Sequence, residues 1–551
     1  MNPLVPTKSV TRLLMALAAV SGLFLTAGCS NSSAVKTNTE GFSNTSLNGA
    51  YVFSSSGVDS TNGAFLAVAG SFVTDGNGNV LAGGNIDVNG LAVGQSSTAI
   101  SAATAAYSVG SDGRGQITLN TTGGVLPGIV LDFVLTSPSH GLVTEFDGDG
   151  TGSGTLDLQA TGALTGSYSF GLSGASVSGG NELPLAMVGT FNSSTERPQG
   201  ISFNGLTDIN SNGAAPGGLS GLNLLASVTA GSPGTATLSA YNSSLDLIAT
   251  YNFDVYMVDI THLKFIETDT AQVLAGDAFT QQTSIPDGVY AYSMEGIDST
   301  SVGAPLAMAG FFTSASGTLS AVLQDYNDAG TVNQVAGTGG SFTTITGGRT
   351  ELTLNSIYNG ASGLLDSPTF AAYPSSAGIE MLEIDNPTDG EFGITGGLAL
   401  PQGTTTTIST TPGYGLNLSA INGNGGGTPF EEDDIAQFVL DSGDNYSGPE
   451  DINDEGTTTP GVSFTGTLTP NSAAPGYGSV TNSSEFNFNY YVANNGASVL
   501  ILETDNTQLG LGSFEAQSSS GSDVRSGAAH SQFSPVRVTP KGKAAWKKRN
   551  K

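Results

Sequence analysis

Gly49-Ala50-Tyr51, Ala69-Gly70-Ser71-Phe72, Asp87-Val88-Asn89 and Glu145-Phe146-Asp147 are four short stretches whose patterns recur in the same order in four successive parts of the chain. The opening pattern, Gly-x-Tyr, returns as Gly166-Ser167-Tyr168 and Gly288-Val289-Tyr290, and in degenerate form as Gly413-Tyr414. The second returns as Val188-Gly189-Thr190-Phe191, Ala309-Gly310-Phe311-Phe312 and Ile435-Ala436-Gln437-Phe438. Asp-x-Asn follows at Asp208/Asn210, Asp325/Asn327 and Asp451/Asn453, and Glu-x-Asp at Glu267/Asp269, Glu383/Asp385 and Glu503/Asp505. The Glu positions are 122, 116 and 120 residues apart and the first Asp positions 121, 117 and 126. Two separate landmarks that keep one period identify four copies of one unit.

A unit of about 115 to 120 residues is large enough to own a hydrophobic core and too long for a propeller blade or solenoid turn. Within the first, Ala50-Tyr51-Val52-Phe53, Phe65-Leu66-Ala67-Val68, Ile117-Thr118-Leu119 and Val130-Leu131-Asp132-Phe133-Val134-Leu135 are β-prone runs bounded by Gly, Asn, Asp and Ser. Thr74-Asp75-Gly76-Asn77-Gly78-Asn79 has the composition of a hairpin turn. No stretch of the mature chain has helical periodicity. The expectation is an all-β chain of four tandem antiparallel domains with roughly seven or eight strands each. Each is expected to be a small up-and-down barrel, because closure removes exposed edges, with an immunoglobulin-like sandwich as the alternative. The Gly-x-Tyr strand and the Gly-rich second hairpin resemble avidin and calycin barrels at the level of pattern, and no binding residue is carried over. The expected organisation is 1–28 signal peptide, 29–46 lipidated Cys and polar linker, repeats at 47–160, 161–282, 283–402 and 403–518, and a disordered basic tail at 519–551.

Charge is segregated. Of 551 residues, 46 are acidic and 15 basic, for a net charge of −31, and residues 37–524 hold every acid against four bases: Arg114, Arg197, Lys264 and Arg349. Such a body repels phosphate backbones, which argues against nucleic-acid binding. From Arg525 onward there are eight bases, the chain's single Trp (Trp546) and no acid, a composition suited to an anionic lipid or cell-wall surface.

At the N-terminus, Lys8 and Arg12 precede a mostly apolar run over residues 13–25, and Thr26-Ala27-Gly28 leads to Cys29, the chain's one cysteine. The run is shorter than the roughly 20 residues that span a bilayer and reads as a signal. Leu25-Thr26-Ala27-Gly28-Cys29 resembles the lipobox of bacterial lipoproteins. The resemblance covers the first 30 residues and implies cleavage before Cys29, acylation there, and sorting to the outer membrane. A single Cys also excludes internal disulfides, zinc ribbons and iron–sulfur cages.

Chemistry-bearing candidates are few. Glu and Asp two apart on a strand share a face, so Glu145/Asp147, Glu267/Asp269, Glu383/Asp385 and Glu503/Asp505 suggest carboxylate pairs for glycoside hydrolysis. Four copies argue instead for a structural strand end that pairs with a neighbouring turn. Arg114 and Arg349 are candidate ion-pair partners of Glu145 and Glu383. Asp208-Ile209-Asn210-Ser211-Asn212-Gly213 and Asp451-Ile452-Asn453-Asp454-Glu455-Gly456 resemble the first half of a calcium loop, but position twelve is Leu219 or Val462, and turn capping is the better account. His140 and His262 are expected in loops, since Gly378 and Ser498 replace them elsewhere. The reading is a non-catalytic, lipid-anchored envelope protein acting as spacer, adhesive or binding module, without cofactor. A polysaccharide hydrolase and a carrier with small ligands inside its barrels are the alternatives.

Overall fold

The computed structural model describes residues 41–178, 181–193, 202–211, 219–270, 272–298, 304–358, 365–384, 394–423 and 430–519. Cys29, the signal, residues 520–551 of the basic tail, Asn212 and Asp385 lie outside them. The first landmarks become strands because alternate residues meet across neighbouring backbones. Tyr51 lies opposite Phe72, and the same register brings Tyr168 to Phe191, Tyr290 to Phe312 and Tyr414 to Phe438. These rings stack at 5.8, 5.4, 5.5 and 5.5 Å with interplanar angles below 20°. Such a pair contributes about 0.5–1.5 kcal/mol beyond area burial. The Gly of the second landmark has a steric cause: a Cβ on Gly70, Gly189 or Gly310 would lie 2.6 Å from the Phe53 ring, the Phe170 ring or the Tyr292 hydroxyl. In repeat 4 the first-strand residue is Leu416, and Ala436 is accepted.

Each repeat is an antiparallel meander whose last strand returns to its first. In repeat 1 nine strands run from Asn48–Asp59 to Gly150–Leu158, which pair with each other, and the bridges Asn79↔Ala106 and Ile100↔Thr121 tie the two ends of the curled sheet. Repeat 2, Ser167–Ser178 to Gln272–Thr280, is a closed barrel of eight strands. In repeat 3 the strand Thr318–Asp328 pairs at one end with Gly339–Thr344 and at the other with Thr331–Ala336, so eight strands close and a ninth branches off. Repeat 4 curls between Thr457–Thr467 and Thr469–Pro470, which only Leu468 separates in sequence. The strand count is therefore nine, eight, nine and nine, slightly above expectation. A continuous ladder, rather than two facing sheets, excludes the sandwich alternative. Each interior is filled by its own apolar cluster, and the described residues contain no α-helix.

The predicted turn forms as read: Asp75 accepts from the amides of Asn77 and Asn79, while Gly76 and Gly78 sit at φ 77° and 101°. No helix of the described residues is long and apolar enough to cross a membrane.

The four repeats pack head to tail, each turning the outer face of its second strand to the closing strands of the next. Phe65, Ala67 and Ala69 meet Tyr256, Val258, Ile266 and Val273. Ala186 and Val188 meet Ala371, Tyr373, Leu382 and Ile394. Ala307 and Ala309 meet Tyr491, Leu500, Leu502 and Leu509. Ile435 of repeat 4 meets Val134 and Leu142 of repeat 1, so the chain closes into a four-membered ring.

Candidate functional site

The acid-rich landmarks converge at these joints. Asn89 Nδ2 donates to the carbonyls of Glu267 (2.6 Å) and Asp269 (3.0 Å) in repeat 2. Asn210 donates to the Glu383 carbonyl (3.0 Å), and Asn327 to those of Glu503 and Asp505 (3.2 Å each) and Gln508 (2.8 Å). Asn453 completes the circle by donating to the carbonyls of Glu145 (2.6 Å) and Gly150 (2.9 Å) in repeat 1. The Asp two residues earlier accepts from the next repeat as well. Tyr256 donates to Asp87 (2.6 Å), Tyr373 to Asp208 (2.5 Å) and Tyr491 to Asp325. Val134 stands at the corresponding place in repeat 1, and Arg114 Nη1 reaches Asp451 instead (3.0 Å).

Two expectations are corrected. Arg114 and Arg349 do not pair with Glu145 and Glu383. Arg349 makes a fork with Asp208 (2.8 Å to each oxygen), and each Arg answers the Asp of the preceding repeat. His140 and His262 are not loop residues: each begins a strand, His140–Glu145 and His262–Glu267, and both are buried.

Within Glu-x-Asp the two acids have separate tasks. Asp147, Asp269 and Asp505 accept from the amides of Val130 (2.8 Å), Asn252 (3.0 Å) and Asn487 (2.9 Å), which holds the turn against the preceding strand. Glu145, Glu267, Glu383 and Glu503 are at most 3% exposed. Burial, then the neighbouring Asp, holds the Glu145 carboxyl well above its usual range, and burial raises Glu267 to about 9. Each lies opposite an apolar residue of its own barrel interior: Leu131, Phe253, Phe370 and Phe488. The oxygens of Asp208 face Arg349, Tyr373, Ser220 Oγ and the Gly221 amide, and those of Asp451 face Arg114 and the Gly461 amide. Among the described residues no group of three His, Cys, Asp or Glu is arranged to hold a metal ion.

A second polar site lies where the repeats meet, and the sequence pattern did not single it out. From Glu515 of repeat 4 a chain of contacts runs to His140 Nε2 (3.4 Å), from His140 Nδ1 to Asp157 (2.8 Å) and from Asp157 to Lys264 Nζ (3.2 Å). It continues to Asp277 (3.3 Å) and ends at His262 Nε2, 2.7 Å from Asp277. Burial alone would pull His140 down, but Asp157 and Glu515 outweigh it and hold the imidazole at about 9. Lys264 is likewise held above its ordinary value by Asp277 and Asp157, against the opposing effect of burial. Glu380 of repeat 3 is fully buried near Asp277, and burial raises its carboxyl to about 8. Above the network, Ser139, His140, Asp157, His262, Phe279 and Ser376 help line a recess of about 210 Å³, with the His262 ring stacked on Phe279 at 4.3 Å. The period did hold a signal: Leu142, Lys264, Glu380 and Leu500 each precede a repeat Glu by three residues, so two of the four copies place a charge on an apolar position.

No family model matches the chain, and no curated protein matches it. Among solved structures, a single-substitution mutant of the vaccine antigen transferrin binding protein B from Haemophilus parasuis aligns with 68% of this chain and 83% of its own, at 9% identity and a TM-score of 0.20. The isotype 1 transferrin binding protein B from serogroup B Neisseria meningitidis aligns with 73% of this chain and 84% of its own, at 9% identity and a TM-score of 0.18. Likeness at this level carries no inference about ligand or role.

Proposed function

We propose that this chain is a non-catalytic, lipid-anchored protein of the cell envelope whose four barrels form one rigid ring that serves as a binding platform. The observation that carries this reading is the bond from Asn453 back to Glu145 and Gly150, made as Asn89, Asn210 and Asn327 make theirs. The repeated acids and amides, the residues with most capacity for chemistry, hold repeats together. A closed ring also suits a platform better than an extended spacer, because every repeat has two partners. The lipobox-like Cys29 supplies the anchor, and the basic tail a second, salt-sensitive hold on an anionic surface.

Two measurements test this. Mass spectrometry of the mature protein should find an acylated Cys29, and Cys29→Ser should move the protein from the detergent phase to the aqueous phase. Cell-wall polysaccharide incubated with the protein should release no new reducing ends. Release that disappears in Glu145→Gln/Glu267→Gln/Glu383→Gln/Glu503→Gln would overturn the non-catalytic reading, and an unacylated terminus would overturn the anchor.

A further inference from the structure

Repeat 4 differs from the others at the end of its barrel opposite the Glu503 strand end. In each repeat an apolar residue of the incoming chain packs on the barrel core: Leu47, Leu164, Ile285 and Ile408. The segment entering repeat 4 is residues 402–413, twelve positions, against eight (159–166) and seven (281–287) before repeats 2 and 3. Its backbone is drawn aside at Thr404 and Thr405, whose amides donate to Asn495 Oδ1 (2.8 and 3.3 Å). A cavity of about 320 Å³ results, lined by Thr406, Ile408, Asp444, Leu468, Tyr477 and Tyr490 among others.

The wall of this cavity carries a hydroxyl at a strand position where the other repeats have none. Tyr490 lies opposite Ile501, and the matching residues two before each repeat Glu pair with Phe133, Val255 and Ala372, none of which has a hydroxyl. Room for that hydroxyl comes from Gly478, where a Cβ would lie 2.2 Å from it. The Tyr490 ring is buried in the barrel core, and Asp444 stands exposed at the rim. Burial and the nearby Asp444 carboxylate keep the phenol protonated.

We propose that this barrel end binds a small organic amine, its apolar body against Ile408, Leu468 and Tyr490 and its ammonium toward Asp444. The volume falls at the low end of ligand pockets, and about 150 Å³ is enough to hold benzene, so a ring with a short side chain fits. The sign follows from Asp444 and from a body that carries all 46 acids. This inference is independent of the anchor and of the ring.

The test uses the full chain with phenethylamine and phenylacetate, which share a ring and differ in charge, followed by calorimetric titration and by ligand-observed NMR. Phenethylamine should bind at least tenfold more tightly than phenylacetate, Asp444→Asn should remove that preference, and Thr406→Trp at the rim should abolish amine binding. Leu468→Trp fills the cavity from inside, and Thr406→Trp keeps the test valid if that variant fails to fold. No amine binding up to about 10 mM, equal binding of the acid, or amine binding unchanged by Thr406→Trp would each overturn the proposal.

Discussion

Asn453 and Asn89 make the same kind of hydrogen bond, but Asn453 acts between the two ends of the chain, where no peptide linker holds the partners together. It is also supported by less apolar surface. The positions of Ala67, Ala186 and Ala307 are taken in repeat 4 by Asp433, which accepts from Thr151 (2.7 Å) and Ser153 (2.5 Å). Three joints are thus sealed by apolar contact and the fourth largely by polar bonds, which depend on geometry. Asn453→Ala leaves buried carbonyls without their donor and should cost about 1–3 kcal/mol by denaturant titration. Hydrogen exchange should rise over residues 143–150 more than Asn89→Ala raises it over 265–272. Lys264 is the other single residue with large leverage, because it is fully buried between two carboxylates. Lys264→Met should destabilise by roughly 3–5 kcal/mol, with partial recovery in Lys264→Met/Asp277→Leu, because the first change leaves buried charge uncompensated and the second removes part of it.

The barrel of repeat 4 shows what a single module can tolerate. Asp434 occupies the core position of Val68, Met187 and Met308, and Glu450 that of Ile86, yet both acids are almost completely buried. Both Glu450 oxygens, and both of Glu503, lack a hydrogen-bond partner. Burial, then neighbouring carboxyls (Glu432 first for Asp434, Glu485 first for Glu450), holds Asp434 and Glu450 well above the ordinary carboxylate range. The fold therefore keeps their protons at pH values where the open chain has lost them. A raised carboxyl of this kind destabilises nothing below its unfolded value, and stability drains away as pH rises toward its folded value. Asp434→Val/Glu450→Ile should accordingly raise the melting temperature more at pH 8 than at pH 5, by differential scanning calorimetry. Equal gains at both pH values would show that the acids are not protonated in the fold.

At the scale of the whole molecule the same sign recurs in every repeat. Glu145 and Glu503 are held well above their ordinary value, Glu267 at about 9, Glu380 at about 8, and the imidazole of His140 at about 9. All bind protons more tightly in the ring than in the unfolded chain. Stability should be full near pH 4.5 and fall steadily up to about pH 9, the reverse of a protein held by ionised salt-bridged carboxylates. Melting temperatures across that range check it, and a maximum at pH 8 would contradict it. Ring closure makes a second prediction. Gln517 near the end of repeat 4 donates to the carbonyls of Asp112 (2.7 Å) and Leu135 (2.9 Å) in repeat 1, so the two ends of the body are neighbours. A circular permutant that joins residue 518 to residue 43 and opens within 281–287 should fold with nearly native stability. Deleting repeat 4 should not be tolerated, because it uncovers Ala307, Ala309 and the Glu145 strand end together.

The four repeats and their strands were readable from one chain because barrel interiors impose local rules. Tyr51 must meet Phe72, Gly70 must admit the Phe53 ring, and Asp75 to Asn79 must turn, and each requirement falls on residues close in sequence or repeated at one period. The Asp-x-Asn and Glu-x-Asp pairs were visible for the same reason, but their partners were not. Asn453 and Glu145 are 308 residues apart and meet only when the fourth barrel packs on the first. The Tyr partners left a faint trace, since Tyr256, Tyr373 and Tyr491 precede their repeat Glu by ten to twelve residues. Lys264, Asp157 and Glu515 left less: charge recurs in only two of the four copies at each position, Lys264 with Glu380 three residues before a repeat Glu and Asp157 with Glu515 twelve residues after one. Their pairing depends on which strand faces are pressed together and stripped of water, and the packing of the barrels settles that.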